Sequence, residues 1–266
     1  MHHETEGYLL TAKHIADNLG ADPFQVRLNA NGGAFALPMD NVKWATHTDK
    51  FVDLAAVPLR LSGQHGFEAE YLKADETVLT TKRLELEDIN VGDLAYTVGL
   101  FHFVHGQSRN LPIVYSGNVS LMPPPGEKIP MGDGKGGTEW VEAILVESGA
   151  IDGASGSPVF VRGAITWPDL ETVSGKRSAL LSETKIYLLG LLQGAWFLPP
   201  DDPLRMTVQA KVGDVVPVGF GVVVPGQKIM ELLDGAELRA RRTAASHFGI
   251  ARKLASTGSQ TIATES

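Results

Sequence analysis

The chain has 266 residues, a hydrophobic fraction of 43% and a formal net charge of −8, which suits one large globular domain or two small ones. The acidic balance argues against nucleic acid as the main partner, because phosphate binding needs a basic surface. The absence of cysteine excludes disulfides, thiolate metal sites and a cysteine nucleophile.

The N-terminal residues, MHHETEGYLL, have no basic segment followed by an apolar segment and a cleavage site, so they do not predict a signal peptide. No apolar run anywhere in the sequence approaches the roughly 20 residues that span a bilayer. Together these patterns predict a soluble, cytoplasmic protein without a membrane span.

Short apolar runs bounded by Gly, Pro, Asn or Asp recur along the chain, and this pattern is typical of an all-β barrel or sandwich. In chain order the runs are GYLLTA, FQVRL, GAFAL, FVDLAAVPL, DLAYTVGLF, LPIVYSGNVSLM, WVEAILVE, SPVFV, IYLLGLLQGAW and GFGVVV. Helical patterns are confined to AKHIADNL and to the stretch from GQKIMELL through AELRARRTAASHFGIARKL. The charged segment 63–91 predicts a linker between two halves, residues 123–137 predict a loop or long hairpin tip, and the polar end of the chain predicts disorder.

The stretch IDGASGSPVFV, residues 151–161, surrounds a serine with small residues just before an apolar strand. A serine hydroxyl becomes a nucleophile only when a base removes its proton, and the developing oxyanion needs backbone N–H donors beside it. Gly153 and Ser155 could supply these donors, since glycine can turn its N–H inward, and Gly156 leaves space beside the hydroxyl. A plain β-turn explains the same residues, and the stretch alone favours that interpretation.

Two further residues could complete a nucleophilic site with Ser155. His14 lies where an apolar strand gives way to a short helical turn, so it is a candidate base, although a capping or surface histidine fits equally. Asp53 stands at the head of a seven-residue apolar run, where a buried carboxylate needs a partner such as a histidine N–H. Asp49, in the polar stretch THTDK, is the competing acid, and a solvated loop acid is the expected interpretation for it.

His102 and His105, in LFHFVHGQ, suggest a pair of metal ligands. No neighbouring carboxylate completes a ligand set, so we interpret them as loop histidines and predict no metal site.

Taken in order, these motifs resemble those of the trypsin-like (chymotrypsin-fold) serine peptidases, in particular their disulfide-free bacterial branch. The family's Thr-Ala-x-His motif is similar to LLTAKHI, its Asp-containing strand to VDLAAVPL, and its Gly-x-Ser-Gly-Ser/Gly-Pro motif to GASGSPVF. The order His, Asp, Ser is that of this family. The strand that pairs with substrate backbone resembles LLGLLQGAW, and the closing strand and C-terminal helix resemble GFGVVVPGQKIMELL. The resemblance covers roughly residues 8–235.

The resemblance implies an all-β fold of two antiparallel six-stranded barrels. The first covers 1–62. The family has two strands before the Thr-Ala-x-His strand and only seven residues precede Tyr8, so either this barrel is N-terminally incomplete or the true start lies upstream. After the linker over 63–91, the second covers 92–235, and a helical and then disordered tail follows over 236–266. If no other segment fills the gap in the first barrel, the resemblance implies a weak protease.

The resemblance also implies hydrolysis of peptide bonds in a polypeptide substrate through an acyl-enzyme, without metal or cofactor. Ser155 is then the nucleophile, His14 the general base and later acid, and Asp53 the group that orients the imidazole. The N–H groups of Gly153 and Ser155 form the oxyanion hole.

For specificity, the resemblance assigns the base of the primary pocket to the position six residues before the nucleophile. That residue is Gly149, so the pocket is expected to be uncharged, with Asp152 at its rim. The expected substrate-binding residues are Gly149, Asp152, Gln193, Gly194, Ala195 and Gly221.

Two other function classes stay open at this point. A non-catalytic or latent member of the fold, which binds peptides or acts as a partner module, is favoured by the incomplete first barrel and disfavoured by the intact His-Asp-Ser set. A lipase or esterase is disfavoured by the motif order and by the lack of an alternating βαβ pattern. The sequence does not determine the oligomeric state.

Overall fold

The computed structural model describes residues 7–59, 61, 66–100, 104, 106–132, 138–147, 153–163, 185–197 and 217–244. Its strands are β1 (Tyr8–Thr11), β2 (Phe24–Ala30), β3 (Gly33–Met39), β4 (Ala45–Thr46), β5 (Ala55–Pro58), β6 (Leu94–Gly99), β7 (Ile113–Leu121), β8 (Ile129–Gly132), β9 (Thr138–Val141), β10 (Ile144–Glu147), β11 (Pro158–Arg162), β12 (Ile186–Phe197) and β13 (Pro217–Pro225). Its helices are α1 (Lys13–Leu19), α2 (Ala74–Thr77), α3 (Thr81–Leu86) and α4 (Gly226–Leu233), and residues 236–244 are also helical.

Six strands of the C-terminal half close into an antiparallel barrel, in the order β10-β13-β12-β11-β6-β7. Alternate residues of a strand face the same side of its sheet. Val159 and Val161 on β11, and Ile144 and Val146 on β10, therefore meet in one buried cluster inside the barrel. The predicted β-rich fold, with a six-stranded antiparallel barrel and a short C-terminal helix, is confirmed.

The N-terminal half forms two smaller sheets. One has the strand order β1-β5-β4, and the other is the hairpin of β2 and β3. Among the described strands β1 pairs only with β5, whereas a closed barrel gives every strand two neighbours. The described residues therefore contain one closed barrel, and a second one is not seen in them.

The N-terminal sheet is buried against the C-terminal half. Leu54 and Ala56, which flank the start of β5, share a buried cluster with Leu191 of β12, Val224 of β13 and Ile229 of α4. Leu238, in the helical residues after α4, belongs to the same cluster. The apolar face of this small sheet is therefore covered by the barrel and by the helices that follow it.

The predicted linker is more ordered than its sequence suggests. It contains the short helices α2 and α3, and Thr80 caps α3 by accepting a hydrogen bond from the Arg83 N–H at 3.3 Å. Leu79 is buried in the barrel core and its N–H donates to the Leu188 carbonyl of β12 at 2.9 Å. Helices of four and six residues are too short to produce a readable helical period, which is why the sequence did not predict them.

Three other sequence expectations can be compared with the structure. The segment 123–137, expected to be a loop or hairpin tip, contains β8, which pairs with β9, directly after the segment, as an antiparallel hairpin. The tail predicted to be disordered extends beyond residue 244 and lies outside the described residues. No helix in the described part of the chain is long and apolar enough to cross a membrane.

Candidate active site

His14 is positioned by the junction of β1 and α1. Ala12, almost fully buried, has an extended backbone, and its carbonyl accepts from the N–H groups of Ile15 and Ala16, so α1 begins directly after the strand. His14 is the second residue of α1, and its side chain is 45% exposed. A packed junction therefore holds the backbone of His14 while its ring stays accessible.

Asp53 holds His14 at two points. Its Oδ1 accepts from the backbone N–H of His14 at 2.8 Å, and its Oδ2 lies 2.6 Å from the His14 Nδ1. An ionised carboxylate can only accept, so in the neutral ring Nδ1 carries the proton and Nε2 is left as an acceptor. The pairing of β1 with β5, which sets Thr11 opposite Ala55, brings the two residues together across 39 positions of sequence.

The competing acid, Asp49, makes different contacts. Its Oδ1 accepts from the N–H of Phe51 at 3.0 Å, and its Oδ2 lies 3.8 Å from the Nζ of Lys128. Within the described residues the carboxylate that contacts His14 is that of Asp53.

Ser155 lies in a tight turn from Ala154 to Ser157, closed by a hydrogen bond from the Ser157 N–H to the Ala154 carbonyl at 3.0 Å. Gly156 has φ +83°, as a type II turn requires at its third position. Ala154 is buried against the barrel core, which anchors the turn. At the other end of the turn, the Gly156 N–H donates to the Leu192 carbonyl of β12 at 2.7 Å.

Gly156 brings this turn against the segment that carries His14. A Cβ at Gly156 would lie 2.7 Å from the Thr11 Oγ1 and 3.2 Å from the Ala12 nitrogen. The two segments therefore meet with no room for a side chain between them. In the described residues the ring of His14 bonds to Asp53, and no hydrogen bond joins it to Ser155. Such bonds are often long before substrate binds.

The two predicted oxyanion donors flank the buried Ala154. Gly153 has φ +85°, a left-handed conformation that glycine adopts without strain. Neither Gly153 nor Ser155 donates its N–H to a backbone carbonyl in the described part of the chain. Two unengaged donors beside a hydroxyl are what an oxyanion site requires.

Four of the predicted substrate-binding residues lie together near the Ser155 turn. Gln193, Gly194 and Ala195 follow Leu192 on β12, and Ala195 pairs directly with Gly221 on β13. β11 pairs with β12 only as far as Leu191, so among the described strands the later part of β12 has a neighbour on one edge alone. An edge without a second strand partner can bind an extended peptide as an added strand.

The two other predicted substrate-binding residues, Gly149 and Asp152, lie outside the described residues, as do His102 and His105. In the ranges that are described, no three His, Asp or Glu side chains gather as metal ligands.

Sequence reasoning missed Leu192. Its carbonyl accepts from the Gly156 N–H, and its N–H donates to the Ser157 carbonyl at 2.8 Å. Both backbone groups of Leu192 therefore hold the turn in place. The side chain of Leu192 is an ordinary core leucine. Because the role belongs to backbone atoms, no residue pattern signals it.

Replacing Gly156 with Ala should separate the turn from the His14 segment. A non-glycine residue in the left-handed region costs about 1–2 kcal/mol, and the new methyl group would also displace Thr11. We expect urea denaturation to show a loss of about 2–4 kcal/mol.

Gly126→Ala is the matched control, because Gly126 has φ +81° and no atom within 4 Å of its ideal Cβ position. Its loss of stability measures the cost of the left-handed backbone alone, without the contact that a side chain at Gly156 would make with Thr11 and Ala12. Equal losses in the two variants would show that the contact with Thr11 and Ala12 is loose.

Comparison with known proteins adds no assignment, since no family model and no curated protein matches the chain.

Proposed function

We propose that the chain is a serine endopeptidase of the trypsin-like kind. The observation that carries the proposal is the double hydrogen bond between Asp53 and His14, formed next to the turn that presents Ser155. A ring held in this way exposes Nε2 as an acceptor, which is the state that a general base needs.

In the proposed mechanism, the Nε2 of His14 takes the proton of the Ser155 hydroxyl as its oxygen attacks the carbonyl carbon of the scissile peptide bond. The N–H groups of Gly153 and Ser155 stabilise the oxyanion of the tetrahedral intermediate. The carboxylate of Asp53 stabilises the imidazolium, which then gives its proton to the leaving amine. Water attacks the resulting acyl-enzyme by the same steps and releases the second product.

The substrate is a polypeptide in extended conformation. Its backbone pairs with the edge of β12 beyond Leu192, the residue whose backbone is hydrogen-bonded to the Ser155 turn. Gly194, Ala195 and Gly221 lie beside one another there and carry no charge, which supports a preference for uncharged side chains at the cleavage site. The mechanism needs neither metal nor cofactor.

The two-barrel arrangement of the trypsin-like fold is part of the same proposal. We assign β1, β4 and β5 to the first of two barrels of the trypsin-like arrangement, with the second barrel formed by β6, β7 and β10–β13. The support is that His14 follows β1 and Asp53 precedes β5 of the N-terminal sheet, whereas Ser155 precedes β11 of the closed barrel.

Two observations favour a second candidate, a catalytically weak or inactive domain of this fold that binds peptides. The described N-terminal sheet is not closed, and His14 is not hydrogen-bonded to Ser155 in the described residues. A misplacement of about 1 Å between the reacting groups can lower the rate about a hundredfold.

Labelling with a fluorophosphonate probe tests the proposal. The wild-type chain should react at a single serine, Ser155→Ala should not react, and Ser157→Ala should still react, because Ser157 lies in the same turn but is not the predicted nucleophile. Intact-protein mass spectrometry measures the label.

Hydrolysis of an unfolded protein substrate separates a peptidase from an esterase. Labelling that persists in Ser155→Ala would contradict the assignment of the nucleophile, and an unlabelled wild-type chain that still binds peptides would support the second candidate.

A further inference from the structure

We propose that His47 is a positioning residue for Asp53, a role that deepens the proposed function and rests on it. His47 is the first residue after β4, and the loop that it begins runs to Asp53 and β5. Its stretch, THTDK, is polar and does not by itself indicate a role for the histidine.

The ring of His47 is buried and uses both of its nitrogens. Its side chain is only 6% exposed. Its Nδ1 accepts from the N–H of Asp49 at 3.0 Å, and its Nε2 lies 3.1 Å from Oε2 of Glu231. A backbone N–H can only donate, so Nδ1 must be the acceptor, and in the neutral ring the proton lies on Nε2 and is donated to Glu231.

The first of these bonds organises the loop in front of Asp53. The carbonyl of Asp49 accepts from the N–H of Val52 at 3.1 Å, and the carbonyl of Val52 accepts from the N–H of Leu54 at 2.9 Å. The N–H of His47 donates to the Leu54 carbonyl at 3.4 Å, which closes the loop. Asp53 therefore lies inside a loop whose hydrogen bonds begin and end at His47.

The second bond ties the loop to α4 in the C-terminal half. Glu231 also accepts from the Nζ of Lys228 at 3.1 Å and from the Nε2 of Gln227 at 3.2 Å. Burial alone would raise the pKa of Glu231, but the hydrogen bonds and the charge of Lys228 outweigh it, and the pKa is lowered. Glu231 is thus held ionised as an acceptor for the His47 ring, while Lys228 also pairs with Glu142 at 3.3 Å.

These contacts form a continuous path from α4 to the ring of His14. Glu231 accepts the ring proton of His47 and so fixes its tautomer. His47 then holds the conformation of the loop, and the loop fixes the position of the Asp53 carboxylate that contacts His14. The site depends on a Nδ1–Oδ2 distance of 2.6 Å between His14 and Asp53, so a loosened loop should weaken that bond before the fold itself is lost.

Two variants of His47 separate its two bonds. In His47→Asn the side-chain oxygen can accept from the N–H two residues on, as in an Asx-turn, while the link to Glu231 is lost. In His47→Gln the longer amide can still reach Glu231, but the short turn to Asp49 is lost. His47→Ala removes both bonds, and Lys73→Gln, which breaks a remote exposed ion pair with Glu76, is the control.

The main readout is the low-field proton NMR resonance of the His14 Nδ1–H bonded to Asp53, recorded without substrate. We expect His47→Ala and His47→Gln to broaden or shift this resonance, and to lower kcat about 10–100-fold with little change in KM. His47→Asn should keep the resonance and most of the activity, and Lys73→Gln should match the wild type in both.

A resonance and kcat in His47→Gln that match the wild type would overturn the inference, as would a loss in His47→Asn as large as that in His47→Ala. A wild-type chain without the resonance at low temperature and at a pH where exchange with water is slow would also overturn it, because the Asp53–His14 bond would then not form. A wild-type chain that has the resonance but hydrolyses no peptide would count against the proposed function alone, since the effect of His47 on the resonance is measured without turnover.

Discussion

Asp53→Asn should lower the rate of peptide-bond hydrolysis by about 10⁴-fold while leaving the fold intact. The amide of Asn can donate to Nδ1 of His14, which moves the ring proton to Nε2 and removes the acceptor that Ser155 needs. The backbone N–H of His14 can still donate to the amide oxygen, so the loop should keep its place. Steady-state kinetics give the rate, and circular dichroism with a thermal melt checks the fold.

Asp49→Asn is the control for this experiment. It removes a carboxylate four residues away, and its amide oxygen can still accept from the N–H of Phe51. We expect a change of less than about tenfold, because Asp49 does not touch His14. A larger loss of activity in Asp49→Asn than in Asp53→Asn would reverse the assignment of the orienting acid.

Gly190→Ala should strongly lower the free energy of unfolding. Gly190 lies in β12 between Val159 of β11 and Pro225 of β13. A Cβ there would lie 2.0 Å from the carbonyl oxygen of Val224 and 2.8 Å from a methyl carbon of Val223. The carbonyl belongs to the neighbouring strand of a closed barrel and cannot retreat without breaking the ladder, so we expect a loss of more than about 4 kcal/mol in urea denaturation.

Gly194→Ala is the matched control, four positions farther along the same strand. Nothing lies within 4 Å of its ideal Cβ position, so its stability should stay within about 1 kcal/mol of the wild type. If Gly190→Ala melts like Gly194→Ala, the strands around Gly190 are less closely packed than the structure has them.

The barrel was predictable because its signals are local. Runs such as SPVFV and IYLLGLLQGAW are strongly apolar between turn residues, and both became buried strands, β11 and β12. The hydrogen bond between Asp53 and His14 was also predictable, since a carboxylate at the head of an apolar run needs a hydrogen-bonding partner.

The remaining features depend on contacts between distant segments. Barrel closure is decided by which strands pair, and β1 has β5 as its described neighbour although its sequence reads like any barrel strand. His47 lies in the polar stretch THTDK, yet its side chain is only 6% exposed and contacts Glu231 of α4, 184 positions later in the chain. The contact of Gly156 with Thr11 leaves no trace in either local pattern.

The apolar cluster that joins Leu54 and Ala56 to Leu191 and Ile229 has a mechanical consequence. Its members on the two halves are almost completely buried, so swinging one half away from the other would expose them to water at about 25 cal/mol for each Å² of apolar surface. Hinge closure of one half over a ligand is therefore disfavoured. We therefore expect any adjustment on substrate binding to occur in the loops and not in the relative position of the two halves.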